Sequence, residues 1–181
     1  EGIVEDFAAT EETEKWLEKI YDADKLDHEA LSSTVYDQSD FYKHFIKDLF
    51  DAEKEVIIDS PYITEQRMRT FYPIFHHLLQ KDVKVFVLTR KSEDHDDQMR
   101  LFSENAIQKL DDMGVVVLPF KGLIHRKISI IDRKLVWEGS LNILSQREST
   151  EFMRRIQGEE TGRQMMKFLR LEKNIGHIGQ N

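Results

Sequence analysis

The sequence predicts an α/β fold in which helices flank both faces of a mixed, partly parallel β-sheet. Short runs rich in Val and Ile, which favour strands, alternate along the chain with longer segments whose apolar residues recur at helical spacing. The chain has 181 residues, of which 40% are hydrophobic and 33% are charged. This length and composition are typical of one globular domain with its own core.

Helices are predicted where apolar residues recur every three or four positions, and strands where a short apolar run is bounded by breaking residues. The N-terminal elements are a short helix at 12–21, irregular chain at 22–40, a helix at 41–50, a strand at 56–59, a helix at 68–79, a strand at 83–89, a helix at 102–112 and a strand at 115–118. Two strands at 124–131 and 134–138, a strand at 150–156 and a helix at 159–172 complete the order.

Proline and glycine set several of these boundaries. Ser60-Pro61 ends one strand and Pro119 another, while Gly114 ends a helix. Pro73 lies inside a helical pattern, so that helix is expected either to start near Thr70 or to kink.

The net charge of −8 is unevenly distributed. Residues 1–40 hold 13 of the 34 acidic and 3 of the 26 basic residues, so the rest of the chain holds 21 acidic and 23 basic ones. We therefore interpret residues 1–40 as an acidic arm with a short helix, and residues 41–181 as the main domain. An acidic block of this kind is most often simply solvated, and a partner-binding role is the alternative.

A chemically informative pattern, H-x-K-x4-D-x6-G-S-x-N, begins at His125. Because side chains alternate along a strand, His125, Lys127 and Ser129 are expected to share one face. Imidazole is a nucleophile or proton shuttle near neutral pH, and a neighbouring ammonium can hold a phosphate oxygen. The alternative is a solvated histidine and lysine on an edge strand.

The remaining motif residues suggest supporting roles. Asp132 falls on the opposite parity at the strand end, which favours a supporting or turn role. Gly139 would let backbone approach a ligand closely. Ser140 and Asn142 share a parity and could donate hydrogen bonds to an oxyanion.

The pattern resembles the HKD signature of the phospholipase D superfamily together with its G-S-x-N extension. The resemblance implies a phospholipase D-like domain that works without metal or cofactor, and it implies an acidic residue on the following strand that orients the histidine. Glu151 matches that residue best. The implied catalytic residues are His125, Lys127, Asp132, Ser140, Asn142 and Glu151, and the expected substrate contacts are Lys121, Arg126, Gly139 and Arg154.

A narrower resemblance concerns the run from Trp137 to Gln146, which is similar to phospholipase D-like domains appended to bacterial DNA helicases and restriction systems. It favours nucleic acid, DNA above all, as substrate, and a helicase or ATPase domain as a partner. Glu138 departs from the small or hydroxyl residue that many relatives carry there, which leaves substrate preference open.

The superfamily builds each site from two HKD motifs, and this chain carries one. We therefore expect a homodimer that completes a phosphodiesterase site, with a phosphohistidine intermediate. The alternatives are a phospholipid hydrolase or transferase, and a non-catalytic DNA-binding dimerisation module of a larger helicase protein.

Other features give weaker indications. The absence of cysteine excludes disulfides and suits a cytoplasmic location. No apolar run approaches the ~20 residues of a membrane span. The acidic run at 92–97 around His95 could hold a metal, but acids at a helix N-terminus are the commoner case. Arg154 and Arg155 either contact phosphates or solvate a sheet edge.

Overall fold

A computed structural model describes residues 32–94, 97–120, 125–145 and 150–171 of the chain. Its strands are β1 (Ser32–Asp37), β2 (Glu55–Asp59), β3 (Lys84–Arg90), β4 (Val116–Phe120), β5 (Ile128–Ile131), β6 (Leu135–Gly139) and β7 (Phe152–Gln157). Its helices are α1 (Gln38–Phe50), α2 (Glu65–Gln80), α3 (Asp97–Met113) and α4 (Glu159–Phe168), with a short 3₁₀ helix at Ser92–Asp94. The chain divides into two units, residues 1–31 and 32–181.

The seven strands form one mixed sheet in the order β1-β7-β6-β5-β2-β3-β4. Strands β2, β3 and β4 run parallel to one another, and every other neighbouring pair is antiparallel. The prediction of a mixed, partly parallel sheet is thus confirmed.

Two hydrophobic clusters lie on opposite faces of this sheet. Val56 and Ile58 of β2 belong to the larger cluster, with side chains of α1, α2 and α3, whereas Ile57 belongs to a smaller cluster with Met166 of α4. This alternation is what a strand buried on both faces requires. It confirms the prediction that helices cover both faces.

Strand β1 lies within the stretch that was predicted to be irregular, so that prediction is wrong for residues 32–40. Its sequence is largely polar, and Val35 is exposed, so no apolar pattern marks it. It forms because its backbone pairs with β7 at the edge of the sheet. Asp37 then caps α1 by accepting hydrogen bonds from the amides of Ser39 and Asp40 at 2.9 and 3.0 Å. The helix predicted at 12–21 lies outside the described residues.

Proline has less effect on the elements than the sequence suggested. Helix α2 begins at Glu65, after the N-cap Thr64, and continues through Pro73. Of the two expected alternatives, the start near Thr70 is therefore wrong, and the kink stays a prediction. Pro119 lies within β4, where the edge position leaves room for a residue that cannot donate to a ladder. Helix α3 ends before Gly114, which has a φ of +94°, as predicted.

The topology brings the ends of several inner strands together on one side of the sheet. By 'this edge' we mean that side, which the strand ends form, and not an outer strand such as β1 or β4. The carboxyl end of β2 meets the amino end of β5, because Asp59 lies opposite Ile128. The carboxyl end of β6 and the amino end of β7 lie at the same edge, because Gly139 lies opposite Met153. This edge therefore gathers both parts of the sequence motif.

Candidate active site

The first part of the motif leads into β5 instead of lying on it, since the strand begins at Ile128 and not near residue 124. The pairing with β6 nevertheless extends backwards, because the amide of Gly139 donates to the carbonyl of Lys127 at 3.2 Å. The segment 125–127 is thereby held at the sheet edge. Ile128 and Ile130 face the smaller cluster and Ile131 the larger, which confirms the predicted alternation within the strand.

An open depression of about 460 Å³ lies at this edge. The residues that line it come from the ends of β5, β6 and β7, and are His125, Arg126, Lys127, Ile128, Glu138, Gly139, Ser140, Phe152 and Arg154. Three cations and one carboxylate thus surround an exposed imidazole. This balance of charge suits an anionic substrate group.

The side chain of His125 is exposed, and the Lys127 ammonium donates to the His125 carbonyl oxygen at 2.6 Å. Both side chains line the same depression. An entering phosphate oxygen would compete with that carbonyl for the ammonium. The arrangement can therefore present a nucleophile and a cation to one phosphate.

The Arg126 side chain contacts a buried carboxylate and an aromatic ring. Its Nε lies 2.8 Å from Oδ2 of Asp59, whose side chain is fully buried at the end of β2, and its guanidinium carbon lies 5.8 Å from the centre of the Phe120 ring. Burial raises the pKa of Asp59, while the charge of Arg126 opposes that rise. Arg126 keeps 31% of its side chain exposed, so its expected role as a substrate contact stays a prediction.

The glycine and serine of the second motif are shaped by β7. A Cβ at Gly139 would overlap the carbonyl oxygen of Phe152 and the Cα of Met153. Glycine is therefore required here by the close approach of strand β7, and the close approach of a ligand stays a prediction. The amide of Ser140 donates to the Phe152 carbonyl at 3.0 Å, and its hydroxyl accepts from the Phe152 amide at 3.2 Å. The hydroxyl proton of Ser140 remains able to donate towards the depression.

The backbone that follows Asn142 is held in place by hydrogen bonds of residues 143 and 144. The amide of Leu144 donates to the Ser60 hydroxyl at 3.1 Å, and its carbonyl accepts from the Thr64 amide at 2.9 Å. The Tyr42 hydroxyl donates to the carbonyl of Ile143 at 3.2 Å. Within the described residues, Oδ1 of Asn142 is buried without a hydrogen-bond partner, so this atom of the motif can accept from a further donor.

Glu151 interacts electrostatically with Tyr42 of α1. Burial raises the pKa of Tyr42 to about 12; the charge of Arg67, whose guanidinium carbon lies 3.7 Å from the centre of the Tyr42 ring, opposes the rise, and the charge of Glu151 adds to it. Among the described side chains, no hydrogen bond joins Glu151 to His125. Its predicted orienting role therefore stays a prediction.

Asp132 occupies the turn between β5 and β6, at the end of β5 opposite to His125. It adopts a φ of +51°, and its carboxylate accepts hydrogen bonds from the amides of Glu53, Lys54 and Glu55 at 2.8 to 3.3 Å. It does not line the depression. These contacts favour the turn role over direct participation in chemistry.

The two arginines on β7 separate into different environments. Arg154 lines the depression, on the same sheet face as Glu138 opposite it. Arg155 faces α1, where Asp48 binds it at 2.8 and 3.0 Å and raises its pKa. Strand β7 lies inside the sheet, so solvating an edge explains neither residue.

Two predicted features lie outside the described residues, namely Lys121 and the central part of the 92–97 run around His95. Within the ranges that the structure describes, no three His, Cys, Asp or Glu side chains gather in a way that could hold a metal ion. None of the described helices has the length and apolar character needed to cross a bilayer.

Sequence reasoning missed three residues of this edge. Asp59 and Ser60 were treated only as the end of a strand, and Phe152 only as part of a strand. Phe152 lines the depression with 48% of its surface exposed. The available signal was Asp59, an acidic residue that directly follows three apolar residues at the end of a predicted strand, because a buried carboxylate normally has a partner.

Comparisons with known proteins identify a matching family model and several solved structures of similar fold. A family model described as "Cardiolipin synthase, PLD-like domain" matches residues 45–171. No curated protein is similar enough to count as a match. Among solved structures, the chain is similar to NucT from Helicobacter pylori, with a TM-score of 0.65 and 18% identity, covering 80% of this chain and 96% of that one.

Two further structures share the fold. Nuc from Salmonella typhimurium, a phospholipase D family member, has a TM-score of 0.64 and 13% identity, covering 79% of this chain and 94% of its own. TrmBL2, an archaeal chromatin protein with a novel mode of DNA binding, has a TM-score of 0.55 and 13% identity, covering 91% of this chain and 61% of its own. Since the family model spans more than half of the chain and includes both motifs, the chain belongs to the family of PLD-like domains.

Proposed function

We propose that this protein is a metal-independent phosphodiesterase that cleaves nucleic acid, with DNA as the principal substrate. The observation that carries the proposal is the shared depression of His125, Lys127 and Ser140. It combines a nucleophile, a cation and a hydroxyl donor within one basic surface. Family membership supports the phosphodiester as the reacting group.

In the proposed reaction, His125 of one protomer attacks phosphorus and forms a phosphohistidine, while the same histidine of a second protomer protonates the leaving oxygen. That second histidine then takes a proton from water, which attacks phosphorus and frees the first histidine. Lys127 and Ser140 stabilise the negative charge that develops on the non-bridging oxygens.

A second copy of the chain is proposed because each chain supplies one motif. His125 is exposed at the edge of the sheet, where a two-fold axis could bring two such residues to one phosphorus. Such a site needs both histidines within a few ångströms of the same phosphate. The dimer is therefore part of the proposed mechanism. As the setting of this activity we propose the cytoplasm, and as a partner an associated helicase or ATPase domain.

The nucleic-acid assignment is supported by the lining of the depression. Arg126, Lys127 and Arg154 can hold successive phosphates, and the exposed ring of Phe152 offers an aromatic surface beside them. Glu138 lies among them and would disfavour a second anionic group at its own position.

The decisive assay measures cleavage of single-stranded DNA, double-stranded DNA, RNA and bis(p-nitrophenyl) phosphate in excess EDTA. The wild-type chain should cleave at least one of them. His125→Ala should lose activity by about 10³-fold or more while its melting temperature is kept. His76→Ala, an exposed histidine of α2, is the matched control and should remain active. Activity that requires added magnesium would contradict the mechanism.

The shared site is tested by mixing subunits. Equal amounts of wild-type and His125→Ala chains, unfolded and refolded together, should give mixed dimers that lack turnover. The total activity should then fall to about one quarter of an unmixed wild-type sample at equal total protein, by random pairing of chains under C2 symmetry. Half of the activity, or a fully active monomer by light scattering, would contradict a shared site.

A second candidate is a DNA-binding module without turnover, which the similarity to the chromatin protein TrmBL2 favours. It predicts DNA binding by the wild-type chain with no cleavage of any substrate above. A phospholipid activity, suggested by the description of the family model, is tested with vesicles of phosphatidylglycerol in the same assay.

A further inference from the structure

The dipeptide Asp59-Ser60 lies at the end of strand β2, where Asp59 pairs with Arg126 of the depression. Both residues are fully buried, and neither belongs to the H-x-K or the G-S-x-N motif. The three residues that come before them in β2, at positions 56–58, are buried and apolar. Two consecutive buried polar residues at the end of an apolar strand require hydrogen-bond partners, and those partners identify what the dipeptide does.

Asp59 contacts the first motif. It lies opposite Ile128 in the β2–β5 register, so its side chain emerges on the same face as Arg126, two residues earlier. The ion pair between Oδ2 of Asp59 and Nε of Arg126 measures 2.8 Å. Because Arg126 lies between His125 and Lys127, fixing its side chain limits rotation of the backbone that carries both of them.

Ser60 contacts the second motif. Its hydroxyl accepts from the amide of Leu144 at 3.1 Å and donates to the carbonyl of Tyr62 at 3.0 Å, while its own amide donates to the carbonyl of Leu88 at 3.0 Å. Leu144 lies two residues after Asn142, so this hydroxyl anchors the end of the G-S-x-N segment to the sheet.

Asp59 is costly to bury. Its Oδ1 has no hydrogen-bond partner within the described residues, and a buried carboxylate with incomplete hydrogen bonding destabilises a fold. The partner of its other oxygen, Oδ2, is Arg126, which lines the depression. The buried carboxylate therefore acts on a residue of the site.

We infer that Asp59 and Ser60 are positioning residues that set the distance between the two halves of the catalytic motif, Asp59 through Arg126 and Ser60 through Leu144. The inference rests on the proposed phosphodiesterase function. Because both residues lie on one rigid strand end, a shift of either anchor moves one half of the site relative to the other.

The kinetic test uses Asp59→Asn and Ser60→Ala with matched controls. Glu55→Gln removes another buried carboxylate of β2 that pairs with an arginine, at the far end of the strand. Ser103→Ala removes a buried serine hydroxyl of α3. The two test variants should lower kcat on bis(p-nitrophenyl) phosphate by about 10–100-fold with little change in KM, and the controls should not. Equal kcat losses in tests and controls would overturn the inference.

A double-mutant cycle checks the route of the effect. In an Arg126→Gln background, Asp59→Asn should lower kcat no further, because its partner is already missing, whereas Ser60→Ala should keep its full effect. An undiminished effect of Asp59→Asn in that background would show that Asp59 does not act through Arg126.

Amide hydrogen exchange tests positioning without turnover. Asp59→Asn should speed exchange of the Gly139 amide, which donates to Lys127, and Ser60→Ala that of the Leu144 amide, which donates to Ser60. Each should leave the other reporter unchanged. If the wild-type chain cleaves no phosphodiester, the proposed function is wrong. The exchange experiment still tests whether Asp59 and Ser60 hold the two halves of the motif in place. Exchange that rises equally at both reporters, or at neither, would refute it.

Discussion

Replacing Asp132 should destabilise the protein without stopping its chemistry. The side chain is 3% exposed, and its carboxylate accepts hydrogen bonds from three consecutive amides that precede and begin β2, those of residues 53–55. It thus joins the β5–β6 turn to the start of the central strand. Although the motif places Asp132 with His125 in sequence, its contacts are structural.

The expected magnitude follows from those three donors. In Asp132→Ala the half-buried amide of Glu55 is left without an acceptor, which lowers the free energy of unfolding by about 1–3 kcal/mol. The two exposed amides can bind water instead, so each lowers it by only about 0.5 kcal/mol. The sum is roughly 3 kcal/mol, which lowers the melting temperature of a domain of this size by roughly 6–12 °C. Alanine at a φ of +51° adds about 1 kcal/mol that Asp132→Gly avoids.

Urea unfolding and turnover, measured on the same preparations at 20 °C, provide the assay. Asp132→Asn should retain part of the stability, because its side-chain oxygen still accepts hydrogen bonds. All three variants should keep kcat within a few-fold of wild type. A variant with wild-type stability and no turnover would refute the structural assignment and restore Asp132 to the reacting group.

Three other outcomes follow from the same geometry. Gly139→Ala should cost about 3 kcal/mol or more in urea unfolding, since the new methyl group meets the backbone of β7, whereas Gly158→Ala has room and should cost far less. Arg154→Gln should raise KM for DNA and reduce the slope of log affinity against log salt by about 1. Arg155→Gln should instead lower stability, because it removes the cation that pairs with the largely buried carboxylate of Asp48. The reverse pattern would exchange the roles of the two arginines. Burial raises the pKa of Asp59, so the stability that its protonated form contributes is present below a pH of about 4 and is lost as pH rises. The wild-type protein should therefore lose stability relative to Asp59→Asn as pH rises. A gain in stability would contradict the burial effect.

Much of the fold could be predicted because its signals are local. The apolar runs of β2 and β3 and the helical spacing of α1 and α2 depend on near neighbours in the chain. The edge strand β1 escaped because its sequence is polar and its stability comes from backbone pairing with β7, more than a hundred residues away. Local periodicity carries no information about such a partner.

The sequence by itself predicted the candidate reacting groups, because the spacing of His125, Lys127, Ser140 and Asn142 is a pattern that can be recognised without the fold. Only the tertiary structure decided what each neighbour does. Arg126 is bound from below by Asp59, a residue 67 positions away in the chain. Contacts of that kind depend on strand register, which is set when the whole sheet assembles and which no short stretch of sequence specifies.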